Sequence, residues 1–261
     1  MASEPQKTKI DATAQLYVRS ALNHDYRFGA GRALSQDWVD ERIRVYVRYT
    51  LASLLRQTDR DFTIWLDCRE GSEGQLEPYM DALLEAGVEV TFDRGREMLA
   101  RLPTECSHVY LTRIDSDDVY APDVIALIRQ CQGNHQASQF YGGYVHDLKS
   151  GELGSTLLYS PPFYTLRFHR SDLVSSKRFE QTPKPIGKLR GHSAVKPQLN
   201  PVKLPSGRFC VLRHLTNSGG HIRNLRIESA SEKSRVLSYF DLGGTFWREW
   251  SGKYIQALLH D

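Results

Sequence analysis

Three short apolar runs constrain this chain more than any other feature. They are Asp61–Asp67, Val88–Phe92 and His108–Ile114. Each is too short for a buried helix and fits a strand covered on both faces. Each also ends in an acid: Asp67, then Asp93, then the cluster Asp115-Ser116-Asp117-Asp118. Between them lie segments with helical spacing. Strands alternating with helices predict a parallel, doubly wound α/β sheet. In such a sheet the strand ends share one edge, and ligands bind at that edge.

The rest of the first half keeps this rhythm. Gln15–Ser20 reads as the first strand. The polar loop Asn23–Arg32 follows, with Gly29 and Gly31 able to admit a phosphate, and Arg27 and Arg32 able to pair with one. Asp37–Gln57 is the strongest helix. Trp38, Arg42, Val45 and Tyr49 share one face, and Val39, Ile43, Tyr46 and Leu54 an adjacent one, so the helix is read as buried core. Helices are expected at Gln75–Ala86, Arg94–Leu102 and Pro122–Gln130, with Gly87 as a C-cap and Pro122 as a helix start.

The second half changes character. Gln139–Val145, Leu157–Ser160 and Thr165–His169 read as strands, some antiparallel. Arg170–Arg213 is rich in Lys, Arg and Pro, which predicts loops, and Arg208–His214 reads as a last strand. The tail from Ser234 is expected to form one or two packing helices broken at Gly243 and Gly244. The chain is expected to be one domain over 1–261. About 15–130 forms a nucleotide-binding half, about 131–222 an acceptor and lid half, and about 223–261 a C-terminal tail.

Bulk properties narrow the class. The 261 residues are enough for a sizeable core, and a net charge of +3 names no partner. Cys68, Cys106, Cys131 and Cys210 are far apart and form no metal-binding spacing, so reduced thiols are expected. No apolar leader and no apolar run of bilayer length is present. The expected location is the cytoplasm. The Trp247, Trp250 and Tyr254 tail leaves peripheral contact with the inner membrane surface open.

The acid cluster carries the chemistry. Three carboxylates at one strand end repel one another unless a cation sits among them. Mg²⁺ is commonly held by one or two carboxylates and completed by substrate phosphates. The spacing does not fit an EF-hand loop. A late imidazole or carboxylate could take a proton from an acceptor hydroxyl: Asp147, Asp172, Glu180, His192, His214 or His221.

At these residues the chain resembles a GT-A glycosyltransferase with its DxD motif. More narrowly it resembles the bacterial rhamnosyltransferase family. The resemblance rests on Trp38-x₃-Arg42, Tyr49–Phe62 with Trp65-Leu66 after it, Arg113–Asp118, Leu204-Pro205 and Arg213–Asn217. It spans about residues 15 to 220, and the tail beyond 222 carries no motif. It implies a metal-dependent transfer of a sugar, rhamnose among the candidates, from a nucleotide diphosphate sugar to an acceptor hydroxyl. Asp67 and Asp115 would bind the nucleotide sugar, and Arg113 would either join them or pair with a neighbour; Asp93, by its place in the row of acids, and Arg32, by its place in the glycine loop, are expected at the same ligand. Asp115 and Asp117 would hold Mn²⁺ or Mg²⁺. His214 and Asp118 would serve catalysis, with His214 alternatively a metal or phosphate ligand. The acceptor would be a glycan, a lipid-linked sugar or another hydroxyl compound, with nucleic acid still open.

Two other classes compete with this reading. A nucleotidyltransferase on a similar sheet carries a glycine-rich signature directly after its first strand, and Arg19–Asn23 is not one. A non-enzymatic polyanion- or glycan-binding module would use the basic 170–213 stretch and bind in a salt-sensitive way without a nucleotide. As part of an enzyme, the same stretch would fold over the bound nucleotide as a lid.

Overall fold

The computed structural model describes residues 14–22, 35–93, 95–131, 135–159, 161–176, 195–214 and 225–243. The first half follows the expected alternation. Strand β1 is Ala14–Leu22, β2 Thr63–Cys68, β3 Val88–Thr91 and β4 His108–Asp115. Helix α1 joins β1 to β2 and is composite: α-helical Gln36–Val45, π-helical Tyr46–Leu51, then α-helical Ala52–Leu55. Helix α2, Glu73–Glu85, joins β2 to β3, and α3, Arg96–Ala100, joins β3 to β4.

Among the described residues the first sheet has seven strands, in the order β10-β6-β9-β4-β1-β2-β3. The four strands β4, β1, β2 and β3 run parallel. The antiparallel strand is β9, Tyr164–His169, seated between β4 and β6. The chain moves outward from β1 through β2 to β3, then returns to place β4 on the other side of β1. That reversal is the topological switch point, where open α/β sheets leave a crevice at the strand ends. Asp115 closes β4 there, opposite Ala21 of β1, and Ala21 is also opposite Asp67 of β2.

The period of two puts alternate residues on opposite faces. Leu16, Val18, Ile64, Leu66 and Ile114 pack under α1, α2 and α4, the last being Val124–Gln130. Tyr17, Trp65, Val109 and Leu111 pack under α3 and the short helices α5, Arg170–Ser176, and α6, Val195–Leu199. Both faces are covered, which is why these strands read as continuous apolar runs.

The second half departs from its sequence reading in three places. The strand expected at Leu157–Ser160 lies at Leu153–Leu157, and the stretch read as loops holds α5, α6 and the strand Val202–Leu204. Gln139–Val145 is not one strand. It divides at Tyr141 into β6, Ala137–Phe140, in the first sheet and β7, Gly142–Asp147, in a second sheet. The second sheet runs β12-β8-β7-β11-β5 among the described residues. Its strands are β5 Val119–Tyr120, β8 Leu153–Leu157, β11 Phe209–Arg213 and β12 Arg226–Ile227. Strand β10, Val202–Leu204, extends the first sheet instead. The last described helix is α7, Ala230–Phe240.

Close approach at the strand division demands glycine. A Cβ on Gly143 would overlap the Phe209 ring, which itself stacks on Phe163 at 4.0 Å. Gly143→Ala is therefore expected to lower stability by about 1–3 kcal/mol through overpacking. Urea unfolding measures it, and an unchanged midpoint would show that Phe209 moves aside freely.

Candidate functional site

The acidic loop is held from two sides. On one side, α1 supplies a row of polar side chains. Arg42 donates to Asp117 Oδ2 at 2.8 Å and to Ser116 Oγ at 2.7 Å. Thr50 donates to the Asp118 carbonyl at 2.8 Å, and Ser53 Oγ accepts the Tyr120 N–H at 3.2 Å. Gln57 donates to the Ala121 carbonyl at 2.8 Å and accepts the Ile125 N–H at 3.1 Å. The helix read as core is thus also the support of this loop. Buried backbone groups of a loop need such partners.

On the other side stands β11. Strand β5 pairs antiparallel with it, Tyr120 opposite Phe209 and Val119 opposite Cys210. The register carries β11 past the acids: Leu212 N–H donates to Asp118 Oδ1 at 3.2 Å, and His214 Nε2 reaches Asp117 Oδ2 at 3.1 Å. Residues far apart in sequence meet because β11 runs back along the loop that β4 leaves.

The three acids then differ sharply. Asp115 is the exposed one, with its side chain 37% accessible, and it accepts Arg113 Nη2 at 2.9 Å. The Arg113 guanidinium is held charged by Asp115 against the cost of its burial. Asp117 is nearly enclosed. Burial alone would raise its pKa, but the bonds from His214 and Arg42 outweigh this and lower it to about 2. Asp118 is buried completely, and burial, with Asp117 and Asp115 close by, pushes its carboxyl well above the usual range.

The other expected residues are placed as follows. Asp67 lies on the same strand-end row as Asp115 but is fully buried. It pairs with Arg19 of β1, Nε to Oδ2 at 3.0 Å, while Arg19 lies over the Trp65 ring at 5.1 Å. Arg19, Asp67, Arg113 and Asp115 share one sheet face by register, two guanidinium groups beside two carboxylates. Asp93 follows β3, and its carboxylate accepts the Glu97 N–H of α3 at 3.0 Å, a helix-start role. Asp147 ends β7 and closes the following turn through the N–H groups of Lys149 and Ser150. Asp172 lies in the first turn of α5. Arg32, Glu180, His192, His221, Trp247, Trp250 and Tyr254 lie outside the described residues, as does most of the basic stretch, 177–194. The lid reading therefore falls mainly there.

Sequence reasoning gave no role to Arg42, Thr50, Ser53, Gln57 or Arg19. Polar residues recurring along one side of an otherwise apolar helix were the available signal for the first four.

No protein-family model matches the chain, and no curated protein matches it. Among solved structures it is similar to residues 1–349 of TarS from S. aureus, at 11% identity and a TM-score of 0.40, over 94% of this chain and 76% of that one. The same TarS fragment in complex with UDP gives 11% identity and 0.41 over the same shares. A protein from Bacillus anthracis, provisionally assigned as a glucose-1-phosphate thymidylyltransferase and bound to sucrose, gives 10% identity and 0.40 over 75% of this chain and 88% of that one. Similarity this low carries no argument about activity. It does not reach the rhamnosyltransferase resemblance, so the chemistry rests on this chain's own residues. The fold they form is a mixed α/β one, with a mostly parallel central sheet flanked by helices.

Proposed function

We propose that this chain is a glycosyltransferase that binds a nucleotide diphosphate sugar along the edge of β4, β1 and β2 and passes its sugar to an acceptor hydroxyl. The observation that carries the reading is the meeting of Asp117 and His214 at the topological switch point, beside the exposed Asp115.

The donor set suits the expected cation. A carboxylate and an imidazole are ordinary ligands of divalent ions, and a bound diphosphate would supply the rest of the shell. Among the described residues no three His, Cys, Asp or Glu side chains gather into a cage. Asp117 and His214 would hold Mn²⁺ or Mg²⁺, with Asp115 close in sequence. When bound, the ion supplies positive charge to the departing diphosphate.

The chain's own groups do the rest. Asp115, still able to accept while Arg113 steadies it, would take the ribose hydroxyls. The Arg19–Asp67 pair sets a guanidinium beside a buried carboxylate beneath it. His214, its side chain only 7% accessible, is tied to Asp117, which supports a role at the diphosphate over one at the acceptor. Asp118 shapes the loop through Leu212 and Thr50.

A thermal-shift screen of UDP-, GDP- and dTDP-sugars with Mn²⁺ tests the reading. A true donor at about a hundred times its Kd should add about 2.7 kcal/mol of stability. If every nucleotide sugar leaves the melting temperature unchanged, with and without Mn²⁺ or Mg²⁺, the proposal fails.

A further inference from the structure

Arg42 stands where a metal ion would compete with it. Its Nη1 donates at 2.8 Å to Asp117 Oδ2, the same oxygen that His214 approaches at 3.1 Å. Its Nη2 is fixed on Ser116 Oγ at 2.7 Å, and Ser116 is itself buried. The guanidinium also lies over the Trp38 ring at 5.7 Å. The Arg42 side chain is 11% accessible, and its buried Nε–H meets no acceptor among the described residues. A side chain so enclosed has few positions to retreat to.

Two cations cannot share one carboxylate oxygen at hydrogen-bonding and coordination distance without strong repulsion. A divalent ion that takes Asp117 through Oδ2, the oxygen shared with His214, therefore loosens Arg42. In the absence of another anion, that leaves a buried guanidinium without its counter-charge, which is costly. A diphosphate removes the cost. Its oxygens accept N–H bonds from a guanidinium, so the Nη1 released from Asp117 gains a new anionic acceptor.

Resting on the sugar-nucleotide reading above, we propose that Arg42 is a resident counter-cation of Asp117 that makes metal binding conditional on the diphosphate. Before the donor arrives, Arg42 occupies Asp117 and keeps free metal off. When the nucleotide diphosphate enters with its ion, Asp117 turns to the ion and Arg42 turns to a phosphate oxygen. Arg42 is then a binding residue as well as a positioning residue. No bond is made or broken in this exchange apart from hydrogen bonds and coordination.

The test is Mn²⁺ binding to the full chain, followed by loss of the free-ion paramagnetic signal, with and without UDP, GDP or dTDP. Arg42→Gln should bind Mn²⁺ alone about tenfold more tightly than the wild type, because one charge-assisted bond is removed from competition. The same variant should bind the nucleotide with Mn²⁺ about tenfold more weakly. A merely structural arginine would weaken both. If Arg42→Gln binds Mn²⁺ alone no more tightly than the wild type, the proposal is overturned. Arg42→Lys, which keeps the charge and loses the guanidinium, should lie between the two. It decides the matter alone should Arg42→Gln lack a cooperative unfolding transition, and wild-type affinity for Mn²⁺ in Arg42→Lys would then overturn it. A wild-type protein that binds no nucleotide with any ion would sink the sugar-nucleotide reading, whereas the comparison in Mn²⁺ alone still reports on Arg42.

Discussion

Asp117→Ala is expected to do the most damage of any single change at the crevice, to both stability and activity. The carboxylate balances two buried partners, Arg42 at 2.8 Å and His214 at 3.1 Å. Removing one partner of a buried ion pair leaves the other charge uncompensated, a cost of about 3–5 kcal/mol. Urea unfolding should show that loss directly. Sugar transfer, if measured at a temperature where the variant stays folded, should fall by a factor on the order of 10² to 10³, as when one group aimed at developing charge is removed. Asp117→Asn keeps the shape and should recover part of the stability but little of the rate. A variant with wild-type stability would mean that Arg42 and His214 find other partners, and the site would then not be organised around Asp117.

The second large effect concerns pH. Asp117 and Asp118 are neighbours with opposite environments, so they pull stability in opposite directions. Asp117 has a folded pKa lowered to about 2. Its contribution is present above the unfolded carboxylate pKa of about 4 and is lost as pH falls through the folded value, with a size of about 2 kcal/mol. Asp118 has a folded pKa raised by burial and by Asp117 and Asp115 nearby. The folded state therefore holds its proton after the unfolded chain has released it. That contribution is full below about pH 4 and declines as pH rises from there. Asp118→Asn removes the decline. Above about pH 4 it should gain stability over the wild type as pH rises, with the difference growing toward the folded pKa. Equal pH profiles for the two proteins would show that Asp118 is ionised without penalty in the fold.

Much of this arrangement was legible in the residues. The parallel order of the first strands and the row of acids at their ends follow from apolar runs punctuated by acids, while His214 was singled out by its place at a strand end and by the family resemblance. Registry bears out the row, since Asp67 and Asp115 both stand level with Ala21. What the residues did not disclose is the partner of each acid. Asp67 and Asp93 occupy the expected edge, yet one is buried under Arg19 and the other starts a helix. Period-two spacing gives a residue's face and not the side chain that meets it there. Arg42 was equally hidden, because its place on a helix face read as buried core names no partner for its charge. Its partners Ser116 and Asp117 are more than seventy residues away in sequence. The division of the chain at Tyr141 was missed for a simpler reason. Gln139–Val145 has strand propensity throughout, and the change of sheet depends on Phe209 and Ser206 pressing on two glycines.

The central claim is that Asp117 and His214 form a metal-diphosphate site. Calorimetric titration of the full chain with UDP, GDP and dTDP, in Mn²⁺ and in excess chelator, tests it most directly. The account predicts that at least one nucleoside diphosphate binds in Mn²⁺, that chelation abolishes or greatly weakens the binding, and that His214→Ala and Asp117→Asn each lose it. Nucleotide binding that is indifferent to chelator and to both substitutions would contradict it.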